Sequence, residues 1–565
     1  MHTLARLTLI LSLTAIAVGV AASAAGAQAR PNVVLVLTDD QRWDQLAQMP
    51  NVQRELVGRG VTFTNSFAVN PLCCPSRATI LTGRYSHSTR VYRNQPPYGG
   101  ATSFDDSSTI GTWLQAAGFR TAYIGKYLNG YWLNWVPPGW NRWIGFGGGY
   151  FRYSLSVDGL VVPHGTEEAS YSTDVLAREA QFFASSGTHP FFLVLGPYAP
   201  HSPATPAPRH AGAFAEHERA PAPSFDEEDV TDKPRWVRSL PRLAGPAGAA
   251  AHERKMLASL LAVDDAVGAL VDSLAAAGQL ENTVFLFTSD NGLLLGEHRL
   301  VNQKVAPYEE SIRVPLVVRH DALGLRPRRE DRLVGNVDVA PTIAELAGAA
   351  AQEVEGRSLV PILRPEAGVR PAWRRSLLVE HLQARSGTGS NVPTYCAVRR
   401  PAWKYVVYST REEELYDLAA DPHELVNRAR DPLARQTLFS LRSEVKRLCD
   451  PPPPGFGLKW LCTLEGTRGV SLLRGTAHDD RICGRRGAER IEGRRGADAL
   501  VGGGGPDIIA GGLGRDRIEA GSGADLVLVR DGEPDRIVCG PGRDRVVADG
   551  LDVVARDCER VARIR

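Results

Sequence analysis

The 565-residue sequence lacks a large net charge of either sign, because 65 lysines and arginines are balanced by 63 aspartates and glutamates, a net charge of +2. No long basic tract stands out, so the composition gives no sign of a nucleic-acid partner. Beyond the N-terminal segment, no apolar run is long enough to span a bilayer. The hydrophobic content of 43% is ordinary for a globular protein, and the length exceeds that of one domain. A globular chain of two or three domains is therefore expected.

The N-terminal segment has the organisation of a secretory signal peptide. Arg6 supplies a positive start, residues 7–20 are mostly apolar, and residues 27–29 form an Ala-Gln-Ala cleavage site. The sequence therefore predicts a secreted, extracellular chain that begins at Arg30. An uncleaved membrane anchor is the alternative, because the apolar run is nearly long enough to span a bilayer.

Near-continuous apolar runs alternate with helical stretches from residue 32 to about residue 370, a pattern that favours an α/β sheet. Three of these runs cover residues 32–37, 191–195 and 283–287. They fit strands that are buried on both faces. Polar residues follow the three runs: Asp39 and Asp40, His201, and Asp290 and Asn291. Ligands bind at the carboxyl ends of strands in open α/β sheets, so we expect these side chains to line a site.

The most specific pattern in the chain begins at Cys73. From there to Arg84 the sequence has the form C-x-P-S-R-x-x-x-L-T-G-R. Pro75 suits a first helical turn and Ser76 is a good helix-start residue. Cys73 is therefore expected at a helix N-terminus, where the partial positive charge favours anions. A pair of disulfide-bonded cysteines is the alternative interpretation.

This pattern resembles the core motif of the type I sulfatases. The resemblance covers roughly residues 30–450 and implies an alkaline-phosphatase-like mixed sheet between helices. It implies that a formylglycine-generating enzyme oxidises Cys73 to formylglycine, and that Arg77 holds this residue in place. The hydrated aldehyde would then attack the sulfur of a sulfate ester. Cys73-Cys74-Pro75, residues 125–129 and residues 153–159 are most similar to the N-acetylglucosamine-6-sulfatase branch.

The same resemblance implies a calcium site built from the strand-end residues. Its ligands would be Asp39, Asp40, Asp290 and Asn291, with the formylglycine of Cys73 as a further ligand. Hard oxygen ligands of this kind suit calcium. The cation would polarise the sulfate group and lower the pKa of the hydrated aldehyde.

Three further residues match functional positions of the family. Lys126, in a Gly-Lys pair, and Lys304 match its two sulfate-binding lysines. Cations at these places would stabilise the charge on the sulfate oxygens. His201, in a P-H-x-P pattern, matches a histidine that contacts sulfate and protonates the departing alkoxide.

The sequence departs from many relatives at two positions. Leu128 stands two residues after Lys126, where those relatives have a histidine, so the group that deprotonates the hydrated aldehyde stays unassigned. Leu294 stands where relatives often have another histidine, while His298 is kept. The second change removes a polar group near the expected site and is expected to influence substrate choice.

The chain has eight cysteines, and oxidation of Cys73 would leave an odd number. Cys74 is therefore expected to be a buried free thiol. Pairing of Cys449 with Cys462 would close a loop across the proline run, and pairing of Cys539 with Cys558 would link the C-terminal segment. The sequence alone does not fix these pairings.

A repeat occupies the C-terminal region. Acidic residues recur every nine positions from Asp480 to Asp525, and an aliphatic residue follows each by two. Glycines precede most of the acidic residues. The whole nine-residue pattern resembles the RTX nonapeptide, which implies a parallel β-roll that binds calcium. The expected calcium ligands include Asp498, Asp507, Asp516 and Asp525. A disordered Gly/Asp-rich tail is the alternative.

The sequence thus predicts an α/β protein with five segments. They are a signal peptide (1–29), a catalytic domain (30–370), a small α+β subdomain (371–449), a Pro-rich linker (450–470) and the β-roll repeats (471–565). A long helix is predicted over residues 256–277, with Asp264 and Asp265 on a solvated face in a structural role.

The predicted function is a secreted sulfatase that acts on a sulfated small molecule or on a sulfated glycan such as a glycosaminoglycan. Association with a cell surface or matrix through the repeats is also expected. A phosphonate or phosphate ester hydrolase of the same superfamily is one alternative. A non-catalytic calcium-binding surface protein is another.

Overall fold

The computed structural model describes residues 30–187, 190–218, 220–364, 371–384, 391–467 and 469–564. The predicted signal peptide, residues 1–29, lies outside the described residues. Within the described part of the chain, no helix combines the length and the apolar character needed to cross a membrane.

A mixed ten-stranded sheet forms the centre of the N-terminal part of the molecule. Its strands are β1 (Asn32–Thr38), β2 (Val61–Phe63), β3 (Arg120–Lys126), β4 (Arg142–Phe146), β5 (Ser154–Val157), β6 (Leu160–Pro163), β7 (Phe191–Gly196), β8 (Thr283–Ser289), β9 (Leu316–His320) and β10 (Arg328–Glu330). Their order across the sheet is β10-β2-β9-β8-β1-β7-β3-β4-β5-β6. The central strands β8, β1, β7, β3 and β4 run parallel, so their carboxyl ends share one edge.

Helices cover both faces of this sheet. The α-helices of the described residues are α1 (Pro50–Glu55), α2 (Cys73–Thr82), α3 (Ser86–Thr89), α4 (Ile110–Ala116), α5 (Ser172–Ser185), α6 (Arg235–Arg238), α7 (Ala247–Ala276), α8 (Glu309–Ile312), α9 (Val339–Ala347), α10 (Val360–Leu363) and α11 (Arg435–Leu448). Val33 and Leu35 of β1 pack with α2, α4 and α9, whereas Val34 and Val36 pack with α5 and α7 on the opposite face. Because both faces are buried, β1 can be apolar throughout. The predicted α/β fold is confirmed.

The long helix α7 begins nine residues earlier than predicted, at Ala247 instead of residue 256. The prediction that Asp264 lies on a solvated face is wrong, since its side chain is buried. Its carboxylate accepts hydrogen bonds from the backbone N–H groups of Asn51 (2.9 Å) and Val52 (2.8 Å). Asp264 thus satisfies otherwise unpaired donors at the start of α1, which keeps its role structural.

A second, antiparallel sheet follows. Its four strands are β11 (Leu377–His381), β12 (Tyr395–Arg399), β13 (Trp403–Tyr408) and β14 (Glu413–Asp417). Helix α11 packs on one face of it. The helix begins at Arg435, because Asp431 caps a separate helical turn before it by accepting the N–H of Leu433.

The repeat region forms a β-roll of two parallel six-stranded sheets. One sheet contains β15 (Leu464–Glu465), β17 (Arg481–Cys483), β19 (Ala499–Gly504), β21 (Arg517–Ser522), β23 (Arg536–Val538) and β25 (Val553–Val554). The other contains β16 (Ser471–Arg474), β18 (Glu489–Arg495), β20 (Ile508–Leu513), β22 (Leu526–Val529), β24 (Arg545–Ala548) and β26 (Arg560–Arg563). The repeated aliphatic residues are buried between the sheets. The roll is confirmed, and the disordered-tail alternative is wrong.

The cysteine pairing differs in part from the expectation. Cys539–Cys558 forms as predicted, and Cys73 and Cys74 are both free and buried, so they do not form a disulfide. The predicted Cys449–Cys462 pair is wrong. Cys449 bonds instead to Cys396, and Cys462 bonds to Cys483. Both partners come from strands that tertiary folding, and not sequence proximity, brings alongside.

Peptide mapping under non-reducing conditions tests this pairing. We expect cross-linked fragments joining Cys396 to Cys449 and Cys462 to Cys483, because the Cα atoms of these pairs lie 6.3 and 5.9 Å apart, within disulfide range. The same digest after reduction and alkylation is the control and should lack both fragments. A fragment joining Cys449 to Cys462 would contradict the structure.

Candidate active site

Two strand ends deliver three carboxylates to one buried point. Asp39 and Asp40 follow β1, and Asp290 and Asn291 follow the neighbouring strand β8. One oxygen from each of the three aspartates lies within 4.8 Å of the other two, and all three side chains are buried. The sequence prediction that these residues converge is thus matched by the geometry.

Hydrogen bonds between the two loops fix this arrangement. The backbone of Asp40 is in the left-handed region, with φ of 66°. Its N–H donates to Asp290 Oδ1 at 3.1 Å, and Asn291 Nδ2 donates to Asp40 Oδ1 at 2.6 Å. The remaining amide oxygen, Asn291 Oδ1, is buried and has no hydrogen-bond partner among the described residues. An uncommon backbone conformation thus aims the Asp40 carboxylate at the cluster.

Cys73 is the first residue of α2 and is almost completely buried. Its Sγ lies 3.6 Å from Asp39 Oδ1 and 3.0 Å from Lys304 Nζ. Burial raises the pKa of the Cys73 thiol to about 11 and outweighs the opposing effect of Lys126 and Lys304. The unmodified side chain is therefore a neutral thiol near pH 7, which is a far weaker nucleophile than a thiolate.

Arg77 lies one helical turn after Cys73 and is fully buried. Its Nε donates to Asp290 Oδ2 at 2.8 Å, and its Nη1 donates to the carbonyl oxygen of Lys126 at 2.8 Å. Although burial opposes it, the Asp290 carboxylate raises the pKa of Arg77. Arg77 therefore joins α2 to the ends of β8 and β3, and its expected role of holding residue 73 in place stays a prediction.

Two lysines neutralise the other carboxylates. Lys126 Nζ pairs with Asp39 Oδ2, and Lys304 Nζ pairs with Asp40 Oδ1 at 2.6 Å. Burial alone would raise the pKa of both aspartates, but Lys126 and His201 lower the pKa of Asp39, and Lys304 and His201 lower that of Asp40. The cluster therefore holds charged carboxylates and charged ammonium groups side by side.

Gly125 allows Lys126 to reach this point. Its φ is 134°, and a Cβ atom there would lie 2.0 Å from the carbonyl oxygen of Gly196. Only glycine permits this close approach of β3 to β7. The Gly-Lys pair of the sequence therefore has a steric basis.

His201 follows β7 and lies at the edge of the cluster, with its side chain about 25% exposed. Its Nδ1 is 2.8 Å from the carbonyl oxygen of Ser202, so Nδ1 carries a proton and donates. The other ring nitrogen, Nε2, lies 3.7 Å from Asp40 Oδ2. Every residue that the sequence placed at this site is thus present, with Nε2 of the histidine on the cluster side.

Sequence reasoning missed several neighbours of the site. Tyr198 packs against His201 with ring centroids 4.6 Å apart, and Lys126 Nζ lies 5.4 Å from the centre of its ring. His252 of α7 lies within 3.2 Å of Ser202 Oγ. Asn94 accepts the backbone N–H of Cys74 at 2.9 Å. No local pattern marks these residues, because tertiary contacts alone place them there.

The two leucines at positions of family histidines are buried in apolar surroundings. Leu128 belongs to the core cluster above α2, and Leu294 packs with Leu300 and Tyr308. His298 is also buried, and its Nδ1 lies 2.7 Å from Glu227 Oε2. These three residues give the carboxylate cluster no additional polar group.

The acidic residues of the roll form a second, separate arrangement. Oδ1 of Asp507, Asp516 and Asp525 accepts the backbone N–H of the acidic residue one turn earlier, each at 2.8 Å. Asp498 makes the same contact with Asp480 at 2.7 Å. The Oδ2 atoms of all four are buried without a partner in the described chain. Burial raises the pKa of Asp498 to about 7 and that of Asp525 to about 6.

Comparison with known families agrees with this geometry. Residues 31–349 match the sulfatase family, and residues 296–450 match the C-terminal region of N-sulphoglucosamine sulphohydrolase. Residues 463–488 and 492–527 match the RTX calcium-binding nonapeptide repeat. The chain is therefore similar to sulfatases before the roll and to calcium-binding repeats within it.

Individual relatives extend the comparison. The chain is 34% identical over 455 residues to N-acetylglucosamine-6-sulfatase of Capra hircus, which covers 71% of this chain and 80% of that protein. It is 34% identical over 376 residues to the extracellular sulfatase SULF-1 homolog of Drosophila melanogaster, covering 62% of this chain. The match spans only 33% of the length of the Drosophila protein.

Among solved structures, a similar one is described as BT4656 in complex with its substrate D-glucosamine-2-N,6-O-disulfate. The TM-score is 0.68 with 26% sequence identity, over 76% of this chain and 99% of that chain. The similarity thus covers nearly the whole of that chain and about three quarters of this one.

Replacing Arg77 with alanine tests the buried pair. It would leave the Asp290 carboxylate without its cation, so we expect the free energy of unfolding to fall by about 3–5 kcal/mol. Urea titration followed by tryptophan fluorescence measures unfolding of the part of the chain that contains Arg77, since all 10 tryptophans precede the roll. The double variant Arg77→Met/Asp290→Asn should lose less unfolding free energy than the sum of the losses of Arg77→Met and Asp290→Asn measured separately. A loss below about 1 kcal/mol for Arg77→Ala, typical of surface pairs, would contradict the account.

Proposed function

The chain belongs to the sulfatase family, and from this premise we propose that it is a secreted enzyme that hydrolyses sulfate esters of sugars. In this proposal formylglycine derived from Cys73 provides the nucleophile, and calcium is bound beside it. The observation that carries the proposal is the position of Cys73, buried at a helix start between Asp39 and Lys304. The division of the chain into the five predicted segments is part of the proposal.

The strand-end cluster fits a calcium ion. Three buried carboxylates lie within 4.8 Å of one another, and the amide oxygen Asn291 Oδ1 is buried without a partner. Calcium prefers several oxygen ligands of this kind. Asp39, Asp40, Asp290 and Asn291 would hold the ion, which would supply positive charge to the sulfate oxygens.

Cys73 fits the modification because the pattern around it is complete and because its own thiol is held neutral by burial. Formylglycine at this position supplies, once hydrated, a hydroxyl nucleophile in place of the thiol. A formylglycine-generating enzyme would act on the chain before it folds, since Cys73 is buried in the folded protein.

The chain's own residues perform the remaining tasks. Lys126 and Lys304 place two ammonium groups beside position 73, where they would contact sulfate oxygens and stabilise the growing charge. Arg77 orients Asp290 and keeps α2 against the strand ends. His201 holds Nε2 at the cluster through its Ser202 contact, so in its protonated form it would donate to the departing alkoxide.

A sulfated amino sugar is the substrate that the relatives favour. The similar curated protein is named for N-acetylglucosamine 6-sulfate, and the similar solved structure holds a sulfated glucosamine. Leu128 and Leu294 make the surroundings less polar than in many relatives. The roll would hold calcium through its unpaired carboxylate oxygens and would associate with a cell surface or matrix.

Parallel cysteine variants test the nucleophile. Cys73→Ala should abolish hydrolysis of an aryl sulfate, because position 73 then carries no group that can attack sulfur. Cys74→Ala is the matched control, since Cys74 is equally buried but its thiol makes no hydrogen bond to the carboxylates or lysines of the cluster. Its kcat/KM should stay within a few-fold of the parent. The assay is release of the aryl alcohol at saturating calcium.

Three outcomes would overturn the assignment. Undiminished turnover by Cys73→Ala would refute the nucleophile. If the parent protein hydrolyses an aryl phosphate or phosphonate faster than the aryl sulfate, the phosphonate or phosphate ester hydrolase alternative would be favoured. Absence of turnover of all three would favour the non-catalytic surface protein.

Asparagine substitution in the roll tests its calcium ligands. Asp507→Asn/Asp525→Asn keeps the oxygens that accept backbone N–H groups but removes two negative charges. With calcium present, the heat-denaturation midpoint of the roll should fall. With a chelator present, the denaturation midpoint of the variant should equal or exceed the midpoint of the parent, because two buried like charges have been removed. Glu533→Gln on the exposed surface is the control, and equal effects of both changes would refute the site.

A further inference from the structure

A cleft separate from the carboxylate cluster lies where α11 meets the first turns of the roll. Its volume is about 730 Å³, within the roughly 300–1,000 Å³ range of small-molecule sites. Its walls come from the turns before α11, from α11 itself, from β15 and from the loop after β17. None of the residues of the proposed catalytic site lines it.

Arginines dominate the charged residues of this cleft, which are Arg430, Asp431, Arg435, Arg442, Glu465, Arg485 and Arg486. Five guanidinium groups therefore face two carboxylates. The acids already have partners, since Asp431 pairs with Arg428 at 2.9 Å and Glu465 pairs with Arg442 and Arg485.

Three of the guanidinium groups are left without a carboxylate. Within the part of the chain that the structure describes, Arg430 and Arg486 make no ion pair, and Arg435 donates to carbonyl oxygens of Glu465 and Gly466. A neutral hydrogen bond leaves the positive charge of Arg435 uncompensated. The cleft thus carries an excess of positive charge that an anionic ligand would neutralise.

Two disulfides hold the cleft in shape. Cys396–Cys449 ties the end of α11 to β12, and Cys462–Cys483 ties the chain before β15 to β17. Arg435 Nη2 reaches across the cleft to Gly466 at 2.6 Å. Because its walls are fixed before binding, a ligand would lose little affinity to ordering of the protein.

Apolar side chains accompany the charges. Leu438 is buried at the cleft and Phe439 is half-buried, with the guanidinium carbons of Arg435 and Arg442 5.3 and 5.7 Å from its ring centre. Arginine binds tetrahedral oxyanions through paired N–H groups, and apolar surface suits the C–H faces of sugar rings. The combination fits a ligand that bears several anionic groups on a saccharide.

We propose that this cleft is a second binding site, for a sulfated oligosaccharide, that anchors a polymeric substrate away from the catalytic cluster. The choice of a sulfated saccharide over other polyanions rests on the proposed function. The positive charge and the shape of the cleft do not depend on it.

Calorimetric titration of a heparin-derived hexasaccharide tests the proposal in the full-length chain. All variants carry Cys73→Ala, so that the ligand is not consumed. Adding Arg430→Ala/Arg486→Ala should raise the dissociation constant about tenfold or more, because two unpaired cations leave the cleft. Arg536→Ala/Arg545→Ala, which removes two exposed arginines from later turns of the roll, is the matched control and should change it less than threefold.

Equal losses of affinity in the cleft variant and the control variant would indicate general surface attraction and overturn the proposal. The proposal would also fail if the parent did not bind the hexasaccharide, or if the cleft variant bound it as tightly as the parent. Inorganic polyphosphate that binds the cleft as tightly as the hexasaccharide would overturn the assignment to a sulfated saccharide. With Cys73 intact, Arg430→Ala/Arg486→Ala should hydrolyse a small aryl sulfate at the parent rate. Hexasaccharide binding without any aryl sulfate hydrolysis would overturn the proposed function and leave the cleft in place.

Discussion

Buried like charges repel strongly, and the carboxylates of Asp39, Asp40 and Asp290 place that repulsion at a single point of the fold. Each is offset by a cation from a different element: Lys126 at the end of β3, Lys304 before α8 and Arg77 on α2. The parallel order of the central strands and the position of α2 bring these groups together. A site assembled in this way is rich in charge before any ligand arrives.

The roll uses the same physical arrangement in a repeated form. Its acidic side chains stack from turn to turn, each with one oxygen bonded to the backbone and one oxygen buried without a partner. No basic side chain offsets Asp498, Asp507, Asp516 or Asp525 in the ion pairs of the described chain. The cluster near β1 therefore carries its own cations, whereas the acidic residues of the roll pair with none in the described chain.

Local sequence signals predicted what depends on local structure. Apolar runs located β1 and β8, and the residues that follow them located the cluster, because a parallel sheet brings successive strand ends to one edge. The nine-residue period located the roll. Partners at long sequence separation were not predictable: Cys396 for Cys449, Tyr198 for His201, and the backbone of α1 for Asp264. These contacts depend on how the elements pack, which no short pattern encodes.

The central claim is that the protein acts through a modified Cys73 and not through a cysteine thiol. Mass spectrometry of the tryptic peptide 60–77, from protein secreted by its native host and treated with a thiol-alkylating reagent, tests it most directly. The account predicts an aldehyde at position 73 together with an alkylated thiol at Cys74. A peptide in which both Cys73 and Cys74 are alkylated would contradict it.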